Sequence, residues 1–297
     1  MNEQKLRYGF IGVGDMGGPM ARRMIEGGLP MMVYDLSERA MAALTAIGAT
    51  AASSIAEMAA SCDVIFTCLA KPSICLSVAQ EIAAAAQKRV SIHVEMSTVG
   101  VKGLREVQKA HEASGVVLVD CPISGGPKAV AAGQLTCIVS GPDAEVARLR
   151  PALGILAGRI FHLNETPGVA QAMKVANNLL AATNLAVTGE VVRLAEAAGI
   201  DPALAIDVIN VSTGRNRASE ILYPSQILTE NYAQGARLDI LAKDTDLATE
   251  AATLYGTRFD MGRAVRDTWR AATEAGFGAE DITAIYKFIG TPSEGTR

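Results

Sequence analysis

The rhythm of apolar and polar positions changes near residue 165. Before it, short apolar runs recur at 7–11, 31–35, 63–69, 90–95, 116–120, 135–139 and 159–163, most of them separated by stretches of helical periodicity. That alternation predicts an α/β domain over residues 1–164, built on a doubly wound, mainly parallel sheet. Beyond Gly199 every periodic stretch is helical: 202–210, 218–227, 245–253, 261–275 and 279–289. Turn signals at Gly214, Tyr223-Pro224, Gly235 and Gly256 divide them, which makes residues 165–297 an all-α domain. Between the halves, residues 166–199 read as one long helix. Pro167 suits its first turn, Ala, Leu, Met, Lys and Gln sustain it, and Gly199 with Asp201-Pro202 ends it. Such a helix is about 45 Å long, enough to leave one domain and cross the other. A chain of 297 residues exceeds a typical single core, in keeping with two domains.

Three stretches of the first half carry candidate chemistry. The first apolar run passes straight into Gly12-Val13-Gly14-Asp15-Met16-Gly17 and then into helical periodicity, the context a dinucleotide fingerprint requires. Gly12 allows the tight turn, Gly14 lets a pyrophosphate approach the backbone, and Gly17 lets helix pack closely on strand. The second run ends at Asp35, where a carboxylate accepts the ribose hydroxyls and repels a 2′-phosphate, so NAD is expected over NADP. An alternative role for Asp35 is to cap the helix that starts near Ser37, and nearby Arg39 could soften the discrimination. Further on, Ser124-Gly125-Gly126 sits between Pro122 and Pro127, a rigid turn whose N–H groups and serine hydroxyl suit a substrate carboxylate. An ordinary tight turn would explain the glycines but not the serine.

The long helix raises a different question. Lys174 lies in its second turn and Asn178 one turn later on the same face, among Ala170, Gln171, Ala181 and Leu185. A charge on a small, apolar stripe is out of place if the stripe is only core. Lys174 is therefore the candidate proton-transfer group and Asn178 a candidate substrate ligand.

Composition narrows the classes. Hydrophobic content of 49% and charged content of 20% describe an ordinary soluble globular protein. A net charge of -4 with no basic run argues against nucleic acid as the main partner. Residues 1–7 lead directly into the glycine motif, so no signal peptide is expected. The long helix is interrupted by Lys174, Asn177, Asn178 and Asn184, so no membrane span is expected either. The expected location is the cytoplasm. Five cysteines without a CxxC pair read as reduced core residues, and without a Cys/His cluster no metal site is expected. Only three histidines occur, at 93, 111 and 162, and none falls at a natural cleft position. A lysine lowered by desolvation, and by a neighbouring cation such as Lys243, can move a proton near neutral pH instead.

Four stretches together resemble the β-hydroxyacid dehydrogenases, the family that includes 3-hydroxyisobutyrate dehydrogenase. Residues 9–20 resemble its N-terminal cofactor signature and Asp120-Cys-Pro-Ile-Ser-Gly-Gly126 its substrate loop. Residues 168–178 resemble its catalytic helix, and Lys243-Asp244-Thr-Asp-Leu247 its C-terminal Lys-Asp-Leu motif, with two residues placed ahead of the leucine. The resemblance implies a Rossmann-type NAD(P) domain, an all-helical domain and an active site where the two meet. By position it assigns Lys174 to catalysis and Ser124, Gly125, Gly126 and Asn178 to the substrate. It sets Leu69, Ala70, Thr98 and Lys243 against the cofactor. One departure is Leu69-Ala70, where members usually carry Leu-Pro.

The activity so implied is NAD-dependent interconversion of a small 3-hydroxy acid and its aldehyde or keto acid, in a homodimer or homotetramer. Imine reduction on the same architecture is one rival, but relatives that perform it usually lack a lysine at position 174. Decarboxylating oxidation as in 6-phosphogluconate dehydrogenase goes with a longer chain and a histidine in place of Asn177. A non-catalytic NAD-binding scaffold is the third, and such proteins tend to lose the lysine while keeping the glycines. Arg215 and Arg217 lie where members vary with substrate. Both a second acidic group on the substrate and plain surface ion pairs fit them.

Overall fold

The computed structural model describes residues 6–291, so the reading of residues 1–5 lies outside the described residues. Every apolar run of the first half becomes a strand. In chain order the elements are β1 (Tyr8–Ile11), α1 (Gly17–Glu26), β2 (Met31–Tyr34), α2 (Glu38–Thr45), β3 (Thr50–Ala51), α3 (Ile55–Ser61), β4 (Val64–Thr67) and α4 (Pro72–Ala84). There follow β5 (Ile92–Glu95), α5 (Gly100–His111), β6 (Val117–Asp120), β7 (Ile123–Ser124), α6 (Pro127–Ala131), β8 (Leu135–Ser140), α7 (Asp143–Leu156) and β9 (Ala157–Asn164).

Successive side chains of a strand point to opposite faces, and the cores follow that alternation. Phe10 and Phe66 pack on one face with Met20, Met24, Leu149 and Leu153 of α1 and α7. Their neighbours Ile11 and Ile65 pack on the other with Met58, Val78 and Ile82 of α3 and α4. Because both faces are covered, the strands read as continuous apolar runs rather than alternating ones. The sheet order is β3-β2-β1-β4-β5-β6-β8-β7, with β9 beside β8. All pairings are parallel except β6 with β8 and β7 with β8. Strand order reverses between β1 and β4, and ligands of such sheets gather beyond the carboxyl ends at that point.

The chain falls into two units, Met1–Lys174 and Val175–Arg297. Helix α8 (Val169–Ala197) belongs to both, and Gly199, at φ 85°, adopts the left-handed conformation that ends it. The second unit is helical: α9 (Pro202–Asn210), a π-helix at Ala218–Ile227, α10 (Leu238–Leu254), α11 (Asp260–Glu274), 3-10 turns at Phe277–Ala279 and Ile282–Ala284, and α12 (Ile285–Ile289). Trp269, Tyr223, Leu185, Ile206 and Ile285 centre its core.

Four elements differ from the expectation. The strands β3 and β7 are two residues long, too short to leave a periodic trace. Residues 218–227 form a π-helix because Pro224 lacks the N–H that an α-helix needs, and the turn widens so that Leu228 N–H reaches Tyr223 O. The expected helix 279–289 is divided, since the Asp281 carboxylate accepts the Thr283 N–H and starts a new turn.

All five cysteines are free thiols, and four are buried. Burial pushes Cys62 and Cys68 up to about 12 and raises Cys75 further, with Glu95 adding to the effect at Cys68 and Cys75. At pH 8 a thiol of pKa about 12 is thiolate only about one part in 10⁴. Native protein should therefore resist a thiol reagent such as DTNB, and all five thiols should react once denatured. Rapid modification of several thiols in the folded protein would contradict this packing.

Candidate active site

The glycine turn is shaped as a fingerprint turn should be. Gly12 holds φ 85°, and a Cβ on Gly17 would come within 1.8 Å of Gly12 O, so both positions exclude a side chain. Gly14 is exposed and a Cβ there would meet nothing within 4 Å, which leaves room for a phosphate against the backbone. No side chain caps α1, so anionic oxygens can meet the N–H groups at and just before its start, at Asp15, Met16 and Gly17. These residues fit a bound dinucleotide.

Asp35 closes the turn from the β2 side. One carboxylate oxygen accepts the Val13 N–H at 2.8 Å and the other accepts the Ser37 N–H at 2.8 Å. The cap of α2 is Ser37 itself, whose hydroxyl accepts the Ala40 N–H. The capping role considered for Asp35 thus falls to its neighbour, and Asp35 ties the end of β2 to the glycine turn.

The loops after β4 and β5 are tied to each other. Leu69 donates its N–H to Ser97 Oγ at 2.7 Å, and Ser97 N–H donates to Glu95 Oε1 at 2.8 Å. Glu95 is buried, and desolvation raises it above the usual carboxylate range against the pull of Ser97. Ala70 is exposed and Thr98 half-buried beside these anchors. The Ser124-Gly125-Gly126 segment is more structured than a bare turn. Ser124 pairs with Thr136 in β8, Gly125 takes φ 125°, and Gly126 leads into α6 with Pro127 in its first turn. The exposed part of this turn is therefore Gly125 and Gly126, with Ser124 half-buried at its edge.

At the end of β6, Asp120 is completely buried. Its Oδ2 accepts the Gly168 N–H, the Gln171 N–H and the Ser140 hydroxyl, at 2.9, 3.1 and 3.1 Å. Its Oδ1 accepts the Gln171 amide at 2.8 Å. Burial pushes the carboxyl up to about 6 while the donors from Gln171, Gly168 and Ser140 pull it down, so it is ionised at neutral pH. Ser140 Oγ accepts the Ala170 N–H at 3.1 Å. Gln171 also reaches the β5 loop: its Oε1 accepts the Val99 and Gly100 N–H groups, each at 3.0 Å, and its Nε2 donates to Ser97 O at 3.0 Å. The first turn of α8 is thus bound to the ends of β5, β6 and β8. Lys174 follows three residues after Gln171 and is only 8% exposed.

In the helical unit, Asn178 and Lys243 meet on one carboxylate. Asn178 Nδ2 donates to Asp244 Oδ2 at 2.6 Å, and Lys243 Nζ to Asp244 Oδ1 at 2.7 Å. Asp244 is buried and orients both. Arg215 is ion-paired with Glu220 at 3.4 Å, and Arg217 is exposed.

The histidines are occupied elsewhere. His93 Nδ1 and His111 Nε2 lie 2.9 Å apart, and His93 Nε2 is 2.9 Å from Thr67 Oγ1. Desolvation lowers His93 well below its ordinary value, helped by His111, and lowers His111 to about 4. His162 Nε2 donates to Gly141 O. Among the described residues no three His, Cys, Asp or Glu side chains gather as a metal set, and no helix is long and apolar enough to cross a membrane.

Sequence reasoning placed Gln171 on the lysine's face and Asp120 and Asp244 inside motifs, but gave none of them a task. Gln171 finds its side-chain partners 51 to 74 residues away, Asp120 takes its donors from 20 to 51 residues away, and Asp244 takes Asn178 from 66 residues away, beyond any local pattern.

Residues 7–164 match the family model of the NAD binding domain of 6-phosphogluconate dehydrogenase. Residues 168–289 match the model described as NAD-binding of NADP-dependent 3-hydroxyisobutyrate dehydrogenase. The chain is 32% identical to 2-(hydroxymethyl)glutarate dehydrogenase of Eubacterium barkeri over 96% of its own length and 95% of that protein's. It is 31% identical to the mitochondrial 3-hydroxyisobutyrate dehydrogenase of Bos taurus, covering 96% of this chain and 87% of that one. A solved structure of Mycobacterium tuberculosis 3-hydroxyisobutyrate dehydrogenase with L-serine superposes with a TM-score of 0.88 at 28% identity, over 97% of this chain and 100% of that one. The glycine turn, the anchored helix and these matches over nearly the full length agree: the chain belongs to the β-hydroxyacid dehydrogenases, oxidoreductases with an N-terminal NAD-binding domain of the Rossmann type.

Proposed function

We propose that this protein interconverts a small 3-hydroxy acid and its aldehyde or keto acid with NAD, and that Lys174 moves the hydroxyl proton. One observation carries the reading: Lys174 is buried on the helix turn that follows the anchor at the ends of β5 and β6, in the same unit as the glycine turn. A charged side chain is seldom buried without a task. Oxidation of an alcohol needs a base for the hydroxyl proton, and the buried histidine pair is committed to itself.

Bound NAD supplies the hydride acceptor. Gly12, Val13, Gly14, Asp15, Met16 and Gly17 would hold its phosphates and Asp35 its ribose, with Leu69, Ala70, Thr98 and Lys243 against the rest. Lys174 takes the proton from the substrate hydroxyl as hydride leaves, and in the reverse direction its ammonium steadies the developing oxyanion. Ser124, Gly125 and Gly126 present hydroxyl and backbone donors to the carboxylate, and Asn178, oriented by Asp244, donates to the substrate. The names of the relatives and the serine bound to one of them share a carboxylate with a hydroxyl on its β-carbon. The second carboxylate of a glutarate suits Arg217 better than Arg215, which Glu220 already engages.

Self-association belongs to the same proposal. Leu180, Val187, Val191 and Leu194 lie on one stripe of α8 and are exposed, Leu194 to 70%. A second copy covering it gives a homodimer or homotetramer. Reduced thiols fit a cytoplasmic setting.

Assay with NAD against 3-hydroxyisobutyrate, 3-hydroxypropionate, serine, threonate and glycerate should find a substrate, and no NAD reduction on any of them would overturn the activity. On that substrate Lys174→Ala should lower kcat on the order of 10²–10⁴-fold while NAD still binds. Near-normal turnover would remove Lys174 from the mechanism. Asp35→Ala should weaken NAD by about 10-fold or more and improve the relative use of NADP, and an unchanged ratio would confine Asp35 to the turn. Sedimentation velocity at micromolar concentration should show a dimer or tetramer; a monomer alone would leave the stripe unexplained.

A further inference from the structure

An amide side chain can donate two hydrogen bonds and accept two, and Gln171 makes all four. The partners also fix which way the amide points. Val99 and Gly100 offer N–H groups and so require the oxygen, while Ser97 O and the Asp120 carboxylate require the nitrogen. Gln171 is completely buried. Its own N–H and that of Gly168 end on Asp120 as well, so the carboxylate holds α8 by both backbone and side chain. Helix ends ordinarily fray, and this one has been denied the freedom to do so.

We propose that Gln171, held by Asp120, is the positioning residue for Lys174. The inference rests on the proton-transfer reading of that lysine. Three residues along an α-helix amount to about 4.5 Å of rise on nearly the same face, so the lysine's Cα is fixed wherever the amide is fixed. The same amide grips Ser97, Val99 and Gly100, the residues on either side of Thr98. One side chain therefore sets the turn that carries the proton-transfer group against the loop assigned to the cofactor. A displacement of about 1 Å at such a position costs on the order of 10² in rate.

The donor pattern supplies the test. Gln171→Glu keeps the shape and the bonds from Val99 and Gly100 but turns the donor nitrogen into an oxygen facing Asp120 and Ser97 O. It should lower kcat by about 10–10²-fold. Asp120→Asn alone points an amide at an amide and should also lose activity. Combined, the new amide can donate to the new carboxylate while its oxygen still accepts from Gly168, Gln171 N–H and Ser140, so the double variant should recover about 10-fold in kcat over Gln171→Glu. In a Lys174→Ala background Gln171→Glu should cost less than about 3-fold more, because the group being positioned has gone. Each variant is checked by thermal melting, and if Gln171→Glu does not fold, the apolar isostere Gln171→Met takes its place in the cycle with the same expectation.

If Lys174→Ala turns over normally, the reading of the lysine fails. If Lys174→Ala is crippled but the Gln171 variants turn over normally, the positioning inference alone fails. It also fails if the Gln171 loss is as large without the lysine as with it, or if Asp120→Asn gives Gln171→Glu no recovery.

Discussion

A buried carboxylate with donors on every side is the constraint around which the first unit is arranged. Moving Asp120 out of water costs several kcal/mol unless its charge is met by hydrogen bonds or a partner ion. Here it is met by the Gly168 and Gln171 N–H groups, the Gln171 amide and the Ser140 hydroxyl. Two of those donors belong to the start of α8, where unsatisfied N–H groups and the helix dipole favour negative charge. The carboxylate is tenable because the helix begins there, and the helix begins there in one orientation because of the carboxylate.

Much of this was written in the order of residues. Apolar runs flanked by turn residues foretold the strands, and the parity of Phe10 and Ile11 or Ile65 and Phe66 distributes them between two layers. Gly12, Gly14 and Gly17 announced the turn, and Gly199 announced the end of the long helix. Local pattern failed where local cause was absent. The two-residue strands β3 and β7 exist only because a neighbouring strand pairs with them. The widening at Ala218–Ile227 came from one proline inside an otherwise ordinary helical stretch. Gln171 looked like a polar residue on a helix face, since nothing within 10 residues of it reveals that Ser97, Val99, Gly100 and Asp120 are its partners.

Each unit carries a carboxylate that organises candidate site residues. In the first, Asp120 holds the turn before Lys174 through Gln171; in the second, Asp244 takes Asn178 and Lys243 on its two oxygens. Neither carboxylate stood out in the sequence, because an acid in a loop or a helix is ordinary until its burial is known. The long helix contributes to both arrangements, Lys174 at the end of one unit and Asn178 near the start of the other.

The joined imidazoles of His93 and His111 give the sheet's flank a sensitivity to acid. Unfolded, both rings would take a proton near pH 6.5, whereas in the fold burial holds them neutral until far lower, to about 4 for His111. Their contribution to stability is therefore complete above about 6.5 and drains away as the medium is acidified towards 4. Asp120, raised to about 6, works in the opposite sense: its share is complete below about 4 and is lost as pH climbs through 6. Between those limits the two effects oppose one another, so part of the fold's response to mild acidity is written in buried side chains on both sides of the balance.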